Sequence, residues 1–198
     1  MHSERESMVE SSMRMTSQDS KRDADEIRII NAAQRDPRAF GDLYLQYVER
    51  VFRYTFTRIG DVKAAEDATA QTFLAALESL DRYREDGHFA SWLFGIARNK
   101  AMDYFRWHSR LIPMEAAGEI PVEETTLAQV IQSEQAKALS KIIQALPEEE
   151  RELLRLRFMA ELTYPEIARL LHRNEEAVKK TIYRLLARLH SQMEDKNE

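Results

Sequence analysis

The sequence predicts an all-α protein made of two small helical domains that are joined by a linker. Apolar residues recur at spacings of three and four along most of the chain, as they do on one face of an amphipathic helix. No stretch alternates between apolar and polar residues for long enough to form a half-buried strand. Only five Gly and five Pro interrupt the 198 residues, which favours long helices.

The composition excludes several classes of protein. With 29 Lys and Arg against 34 Asp and Glu, the formal net charge is −5, so bulk positive charge does not bind this chain to nucleic acid. The absence of Cys excludes disulfides, thiolate metal sites and cysteine nucleophiles. No apolar run approaches the roughly 20 residues that span a bilayer, and the N-terminus lacks the apolar segment of a secretory signal. We therefore expect a cytoplasmic protein without membrane insertion.

The N-terminal part contains the first two predicted helices. Residues 1–24 have no amphipathic order and are predicted to form a disordered tail. A helix begins near Asp25, and Asp36 followed by Pro37 is typical of a helix start. This second helix ends at Gly60. Its apolar stripe comprises Phe40, Leu43, Tyr44, Tyr47, Val48, Val51, Phe52 and Phe56.

Two further helices complete the predicted N-terminal domain, residues 25–110. Asp61 caps the third helix, and a polar loop at 81–88 separates it from a fourth helix that runs from about Phe89 to Trp107. The expected inner residues of the third helix include Ala65, Ala68, Phe73, Leu74, Leu77 and Leu80. Those of the fourth include Trp92, Leu93, Ile96, Ala97 and Tyr104.

An acidic linker is predicted at 111–128, ahead of a C-terminal helical domain at 129–193. Residues 113–135 contain five acids and no Lys or Arg, which is typical of a solvated connection. In the C-terminal domain, Pro147 indicates a helix start. Thr163 and Glu166 have the spacing of a capping box.

The most specific local pattern is a helix-turn-helix at residues 163–190. A short helix, Tyr164 to Leu171, is followed by a three-residue turn and a second helix from Glu175. In such a motif the second helix enters the major groove of duplex DNA. Basic residues outnumber acidic ones by six to three over 162–190, which indicates a phosphate-binding face. An ordinary helical hairpin with a solvated basic face is the alternative interpretation of this stretch.

The fourth helix carries a second basic face. Between residues 98 and 110 there are four bases and one acid, Asp103, and aromatic residues lie nearby. Bases of a single strand stack on aromatic rings while cations hold the phosphates, so this face favours an opened strand. On the third helix, Glu66, Asp67 and Gln71 share a face, which indicates an acidic docking surface or simply a solvated one. We find no catalytic set and no metal-binding or cofactor-binding pattern, and we predict neither an enzyme nor a bound cofactor.

Three stretches, in order, resemble a known family. They are AEDATAQTF at 65–73, FASWLFGIARNKAMDYFR at 89–106, and LTYPEIARLL at 162–171 with AVKKTIYRLLARL at 177–189. These match the motifs of the extracytoplasmic-function (ECF) sigma factors, minimal two-domain transcription initiation factors of the sigma-70 family, over about residues 25–190. The family often has Gly where this chain has His172, so a positive φ is expected there.

The resemblance implies a division of roles between the domains. Region 2 would bind the clamp helices of the largest RNA polymerase subunit and the melted −10 element, and region 4 would bind the duplex −35 element. An anti-sigma factor commonly holds family members inactive. The implied polymerase-binding residues are Glu66, Asp67 and Gln71. The implied −10 set is Tyr83, Arg98, Asn99, Lys100, Asp103 and Arg106, and the implied −35 set is Arg173, Lys179, Lys180, Tyr183 and Arg184.

The sequence therefore predicts an RNA polymerase sigma factor that directs the core enzyme to specific promoters. A stand-alone dimeric helix-turn-helix regulator of duplex DNA is the alternative. That alternative predicts a palindromic site and leaves the motifs of residues 65–107 without a role.

Overall fold

A computed structural model describes residues 24–84, 88–111 and 134–194, and every regular element in these ranges is helical. Three predicted segments lie wholly or mostly outside these described ranges. They are the N-terminal tail except for residue 24, the tip of the 81–88 loop, and most of the linker. In chain order the helices are α1 (24–35), α2 (Phe40–Ile59), α3 (Val62–Ser79), α4 (Phe89–Leu111), α5 (Glu134–Gln144), α6 (Glu148–Leu154), α7 (Tyr164–Leu171) and α8 (Glu175–Glu194). The all-α prediction is confirmed.

The predicted helix boundaries near the N-terminus follow from local capping. The Asp36 carboxylate accepts a hydrogen bond from the backbone N–H of Arg38 at 3.0 Å, and Pro37 opens a 3-10 turn that leads into α2. Gly60 ends α2 with a φ of 88°, a conformation that favours glycine. Asp61 then caps α3 by accepting from the Ala64 N–H at 2.7 Å.

The described residues divide into two compact units. One contains those of Met1–Tyr47 and Leu77–Gly87, and the other those of Val48–Ala76 and His88–Glu198. In the first unit, the Gln34 amide donates to the carbonyls of Leu80 and Tyr83, both at 3.0 Å. This ties α1 to the 3-10 turn at Leu80–Arg82 that follows α3.

The second unit has an apolar core built from α2, α3 and α4. Leu93, Phe94 and Ala97 of α4 are fully buried, and the Phe94 ring meets Tyr54 of α2 edge to face at 5.7 Å. Where α2 and α3 meet, the hydroxyls of Thr55 and Thr69 lie 3.0 Å apart. These two buried hydroxyls are thus paired with each other, as burial requires.

The inner face of α3 differs from the prediction. Leu74 and Leu77, expected to be inside, are 57% and 36% exposed, whereas Thr69 and Thr72 are buried. Each threonine hydroxyl donates to the carbonyl four residues earlier at 2.7 Å, which removes the cost of burying it. The inner face therefore contains small and hydroxyl-bearing residues, and the two leucines point to solvent.

The C-terminal elements belong to this same unit. A π-helical turn, Arg155–Met159, extends α6. Thr163 and Glu166 form the predicted capping box at the start of α7, and the Glu166 carboxylate accepts from the Thr163 N–H at 2.6 Å. Helix α8 packs against α5, α6 and α7. In the part of the chain that is described, no helix is long and apolar enough to cross a membrane.

Candidate nucleic-acid interface

Helices α7 and α8 form the predicted helix-turn-helix with the predicted bounds. Its core is apolar: Ile167 of α7 and Ile182 of α8 are fully buried, and Ala168 beside them is small enough for close approach. Val178 and Leu185 are buried as well. Since one stripe of α8 is committed to this core, the opposite stripe is left to face solvent.

That opposite stripe carries three of the predicted −35 residues. Lys180 and Arg184 are exposed, and the Tyr183 side chain between them is 55% exposed. Lys179 is half-buried at the edge of the stripe. A cationic stripe with an aromatic at its centre, on the second helix of this motif, is suited to phosphates and base edges in a major groove.

The turn before α8 has the expected left-handed residue. His172 has φ 52° and ψ 44°, and its neighbour Asn174 caps α8 by accepting from the Ala177 N–H at 3.2 Å. Arg173, predicted to bind the −35 element, pairs with Glu149 of α6 at 3.0 Å between Nη2 and Oε2 in the free chain. Both partners are solvent-accessible, so this ion pair is weak and a phosphate can replace the carboxylate.

Two residues next to this surface were missed in the sequence. The Tyr164 ring lies 6.2 Å from that of Tyr183, and the Arg157 guanidinium stands 5.1 Å above Tyr164. This cation–π stack extends the aromatic and cationic character of the stripe. The only signal in the sequence is the aromatic residue at the first position of α7, Tyr164, which local pattern explains equally well as part of a helix start.

The predicted −10 residues of α4 do not share one face. Asn99, Asp103 and Arg106 are exposed, and Arg106 pairs with Asp103 at 3.3 Å between Nη1 and Oδ1. Lys100 is half-buried. Arg98 lies on another side of the helix, where its Nε is 3.4 Å from an oxygen of Glu152 in α6.

Two residues predicted to bind the −10 element, Lys100 and Asp103, line the same cavity as two residues predicted to bind the polymerase, Asp67 and Gln71. This cavity, of about 380 Å³, lies between α3 and α4, and both sets contribute to it. Trp107 at its rim is 59% exposed. Burial, assisted by the charge of Asp61, raises the pKa of the Tyr104 hydroxyl. The lining residues are Ala64, Asp67, Ala68, Gln71, Lys100, Asp103, Tyr104 and Trp107.

One predicted residue, Tyr83, has an environment that the sequence did not indicate, whereas Glu66 is placed as expected. Tyr83 is only 8% exposed, and its carbonyl accepts the bond from Gln34, so its ring is not offered for stacking on a base in this conformation. Glu66 is exposed on α3, as a docking residue needs. Among the described residues, no group of His, Asp and Glu is arranged to hold a metal ion.

A buried carboxylate lies at the centre of a charged cluster in the second unit. The side chain of Glu152 is 7% exposed; it accepts from the Tyr54 hydroxyl at 2.7 Å and from Arg58. Arg155 approaches it at 3.3 Å. Burial, and next the Glu152 charge, raise the pKa of Tyr54, so its hydroxyl remains a donor. Burial alone lowers the pKa of Arg58, but Tyr54 and Glu152 raise it on balance.

The chain matches two family models, both from one family. Residues 43–111 match Sigma-70 region 2, and residues 136–189 match Sigma-70, region 4. These segments contain α4 and the helix-turn-helix respectively, and together they cover more than half of the chain.

A curated relative and two solved structures agree with this match. The chain is 35% identical over 176 residues to the ECF RNA polymerase sigma factor BldN of Streptomyces coelicolor, which covers 84% of this chain and 66% of BldN. Its fold resembles that of CnrH in complex with the cytosolic domain of CnrY, with a TM-score of 0.63, 24% identity, and coverage of 85% of this chain and 97% of CnrH.

A second fold neighbour is the sigma factor RpoE of Bartonella quintana, solved in complex with the anti-sigma factor NepR. Here the TM-score is 0.57 at 19% identity, with 78% of this chain and 96% of RpoE covered. With both family models in order and a helix-turn-helix whose cationic stripe faces solvent, the chain belongs to the ECF sigma factors of the sigma-70 family.

Proposed function

We propose that this sigma factor directs core RNA polymerase to promoters by reading the duplex −35 element with α8 and the opened −10 strand with α4. The observation that carries the proposal is the stripe of Lys180, Tyr183 and Arg184 on α8, exposed opposite a buried helix-turn-helix core. A cationic stripe supplies phosphate contacts and, through Arg, base contacts in the major groove.

We assign the opened −10 strand to the exposed side of α4. Asn99 and Arg106 lie there beside the half-buried Lys100, and single-stranded DNA needs both cations for its phosphates and polar groups for its unpaired base edges. Trp107, more than half exposed at the same end of α4, adds a stacking surface.

We assign the largest polymerase subunit to the acidic face of α3. Glu66, Asp67 and Gln71 are exposed there, and carboxylates attract a cationic partner rather than DNA. Together, the assignments of α3, α4 and α8 support a functional division of the chain. Region 2 comprises residues 25–110, the linker 111–128 and region 4 129–193. A stand-alone dimeric regulator is not favoured, because it gives no role to the region 2 match.

Two finer parts of the proposal concern where and how the chain works. We place it in the cytoplasm, without a catalytic reaction of its own, because it acts by binding core polymerase and promoter DNA. We also propose that an anti-sigma factor controls it, by analogy with the RpoE–NepR complex.

Run-off transcription on promoter templates tests the proposal. We expect specific transcripts only when this chain and core polymerase are both present. Arg184→Ala should weaken initiation that depends on the −35 element by roughly 5- to 150-fold, the equivalent of about 1–3 kcal/mol for one base-reading side chain. Arg188→Ala is the matched control, since Arg188 lies on the same helix but pairs with Glu150. Tight promoter-specific binding by the free chain would contradict the proposal.

A further inference from the structure

A groove on region 2 brings together residues that the sequence assigned to two different partners. Its α3 wall includes Asp67 and Gln71, and its α4 wall includes Lys100, Asp103 and Tyr104. We call it the α3–α4 groove. Its cavity of about 380 Å³ is at the lower end of the range of roughly 300–1,000 Å³ that is usual for ligand pockets. It therefore has room for one side chain of a partner protein.

Carboxylates dominate the charge of the α3–α4 groove. Asp67 and Asp103 lie on opposite walls and are both exposed, and Lys100 is the one cation among the described residues that line the groove. Asp61 adds to the negative field, since burial and then the charge of Asp61 raise the pKa of the Tyr104 hydroxyl. Three carboxylates against one ammonium attract a cation and repel a DNA phosphate.

Asp103 can exchange the partner that it has in the free chain. Its Oδ1 lies 3.3 Å from Nη1 of Arg106, and the side chains of Asp103 and Arg106 are 59% and 68% exposed. An ion pair so open to water is weak. A cation that enters the groove from a partner protein excludes water from the Asp103 carboxylate, and the same charges then attract each other more strongly.

The position of Asp103 suits the polymerase better than DNA. The family resemblance placed Asp103 in the −10 set, but a carboxylate beside an opened strand is repelled by the phosphates. In the structure it shares a cavity with Asp67, a residue that we have assigned to the polymerase. One cationic partner between the two helices uses both carboxylates at once.

Among cationic side chains, arginine fits the α3–α4 groove best. Its planar guanidinium has five N–H donors, so it can bond to carboxylates on both walls, whereas the ammonium of lysine is a compact point charge. Tyr104 and Gln71 belong to the same lining. A guanidinium stacks on an aromatic ring and donates to an amide oxygen, so both residues add contacts that favour arginine.

We propose that the α3–α4 groove binds an arginine side chain of the largest polymerase subunit between Asp67 and Asp103, so that Asp103 belongs to the polymerase contact and not to the −10 contact. This inference rests on the proposed function and deepens it, because the polymerase-binding surface extends from α3 across the groove onto α4. The incoming arginine replaces Arg106 as the partner of Asp103. Arg106 is then available to the phosphates of the opened strand, which couples binding of core polymerase to capture of that strand.

The affinity of the full chain for core polymerase, measured without DNA, tests this proposal. Asp67→Asn and Asp103→Asn each keep the size of the side chain and remove one charge, and both positions are exposed, so neither substitution disturbs packing. We expect each variant to bind core polymerase at least about fivefold more weakly than the parent chain. The double variant should lose at most about half of the product of the two single losses, because both carboxylates hold the same guanidinium.

Glu49→Gln is the matched control. Glu49 is exposed on α2 in the same unit and is not among the residues that line the groove, so its substitution should leave core affinity within about twofold of the parent. Losses that multiply fully in the double variant would show that Asp67 and Asp103 have separate partners, and would overturn the shared arginine. Unchanged core affinity in Asp103→Asn would also overturn the proposal, and slower promoter opening in that variant would return Asp103 to the −10 contact.

Run-off transcription by the parent chain separates this failure from failure of the proposed function. Transcripts from the parent chain, together with unchanged core affinity in Asp103→Asn, would overturn the arginine site and leave the sigma-factor function intact. A parent chain that neither binds core polymerase nor supports transcription would contradict the proposed function itself.

Discussion

Truncation of Ile182 to alanine should destabilise the helix-turn-helix strongly. Ile182 is fully buried between α8 and α7, and the substitution deletes three carbon atoms. At about 0.8 kcal/mol for each buried methylene-sized group, the lost transfer free energy is roughly 2.4 kcal/mol. The cavity left behind raises the expected loss in the free energy of unfolding to about 2–5 kcal/mol.

Leu186→Ala is the control for this prediction. Leu186 lies one turn further along α8, loses the same number of carbon atoms, and is 37% exposed. Its substitution should cost under about 1 kcal/mol, because little of the side chain leaves a packed environment. Urea unfolding followed by circular dichroism measures both variants. Equal losses for the two would refute the packing on which the orientation of the α8 stripe depends.

Three other substitutions test individual parts of the account. His172→Gly should stabilise the chain by up to about 1 kcal/mol in thermal unfolding. The left-handed backbone at φ 52° is strained for a residue with a Cβ, and relief of this strain outweighs the larger conformational entropy that Gly gives the unfolded chain. A loss of stability would contradict this prediction. Asn99→Ala should impair promoter opening, measured by permanganate reactivity, and leave core binding intact; loss of core association would reverse the assigned roles. Asp67→Arg should weaken capture of core polymerase in a pull-down at least tenfold. Unchanged capture would show that the acidic face of α3 does not bind the polymerase.

Local sequence signals predicted the helices well. The bounds of α7 were correct because the capping box at Thr163 and Glu166 starts it and a left-handed residue, His172, ends it. Both signals act within a few residues of the position they determine. The same holds for Asp36 and Asp61, whose carboxylates bond to N–H groups two and three residues later.

The environments of several site residues could not be predicted, because they depend on residues distant in the chain. Tyr83 was expected to stack on bases, but it is buried beside Gln34, 49 positions earlier. Glu152 looks like one more acid at the start of a helix, and its burial depends on Arg58, 94 positions away. On α3, hydrophobicity alone predicted that Leu74 and Leu77 are buried. It gives no sign that threonines can be buried in their place, because a threonine hydroxyl can donate its hydrogen bond to a carbonyl of its own helix.

Site-specific photocrosslinking in the polymerase–promoter complex tests the central claim most directly. With a photoreactive residue at Arg184 or at Asn99, we expect Arg184 to crosslink to the duplex −35 element and Asn99 to the non-template strand of the opened −10 element. The same adducts should be absent without core polymerase. Crosslinking of both positions to one DNA element, or of Asn99 to duplex DNA alone, would contradict the division of labour between α4 and α8.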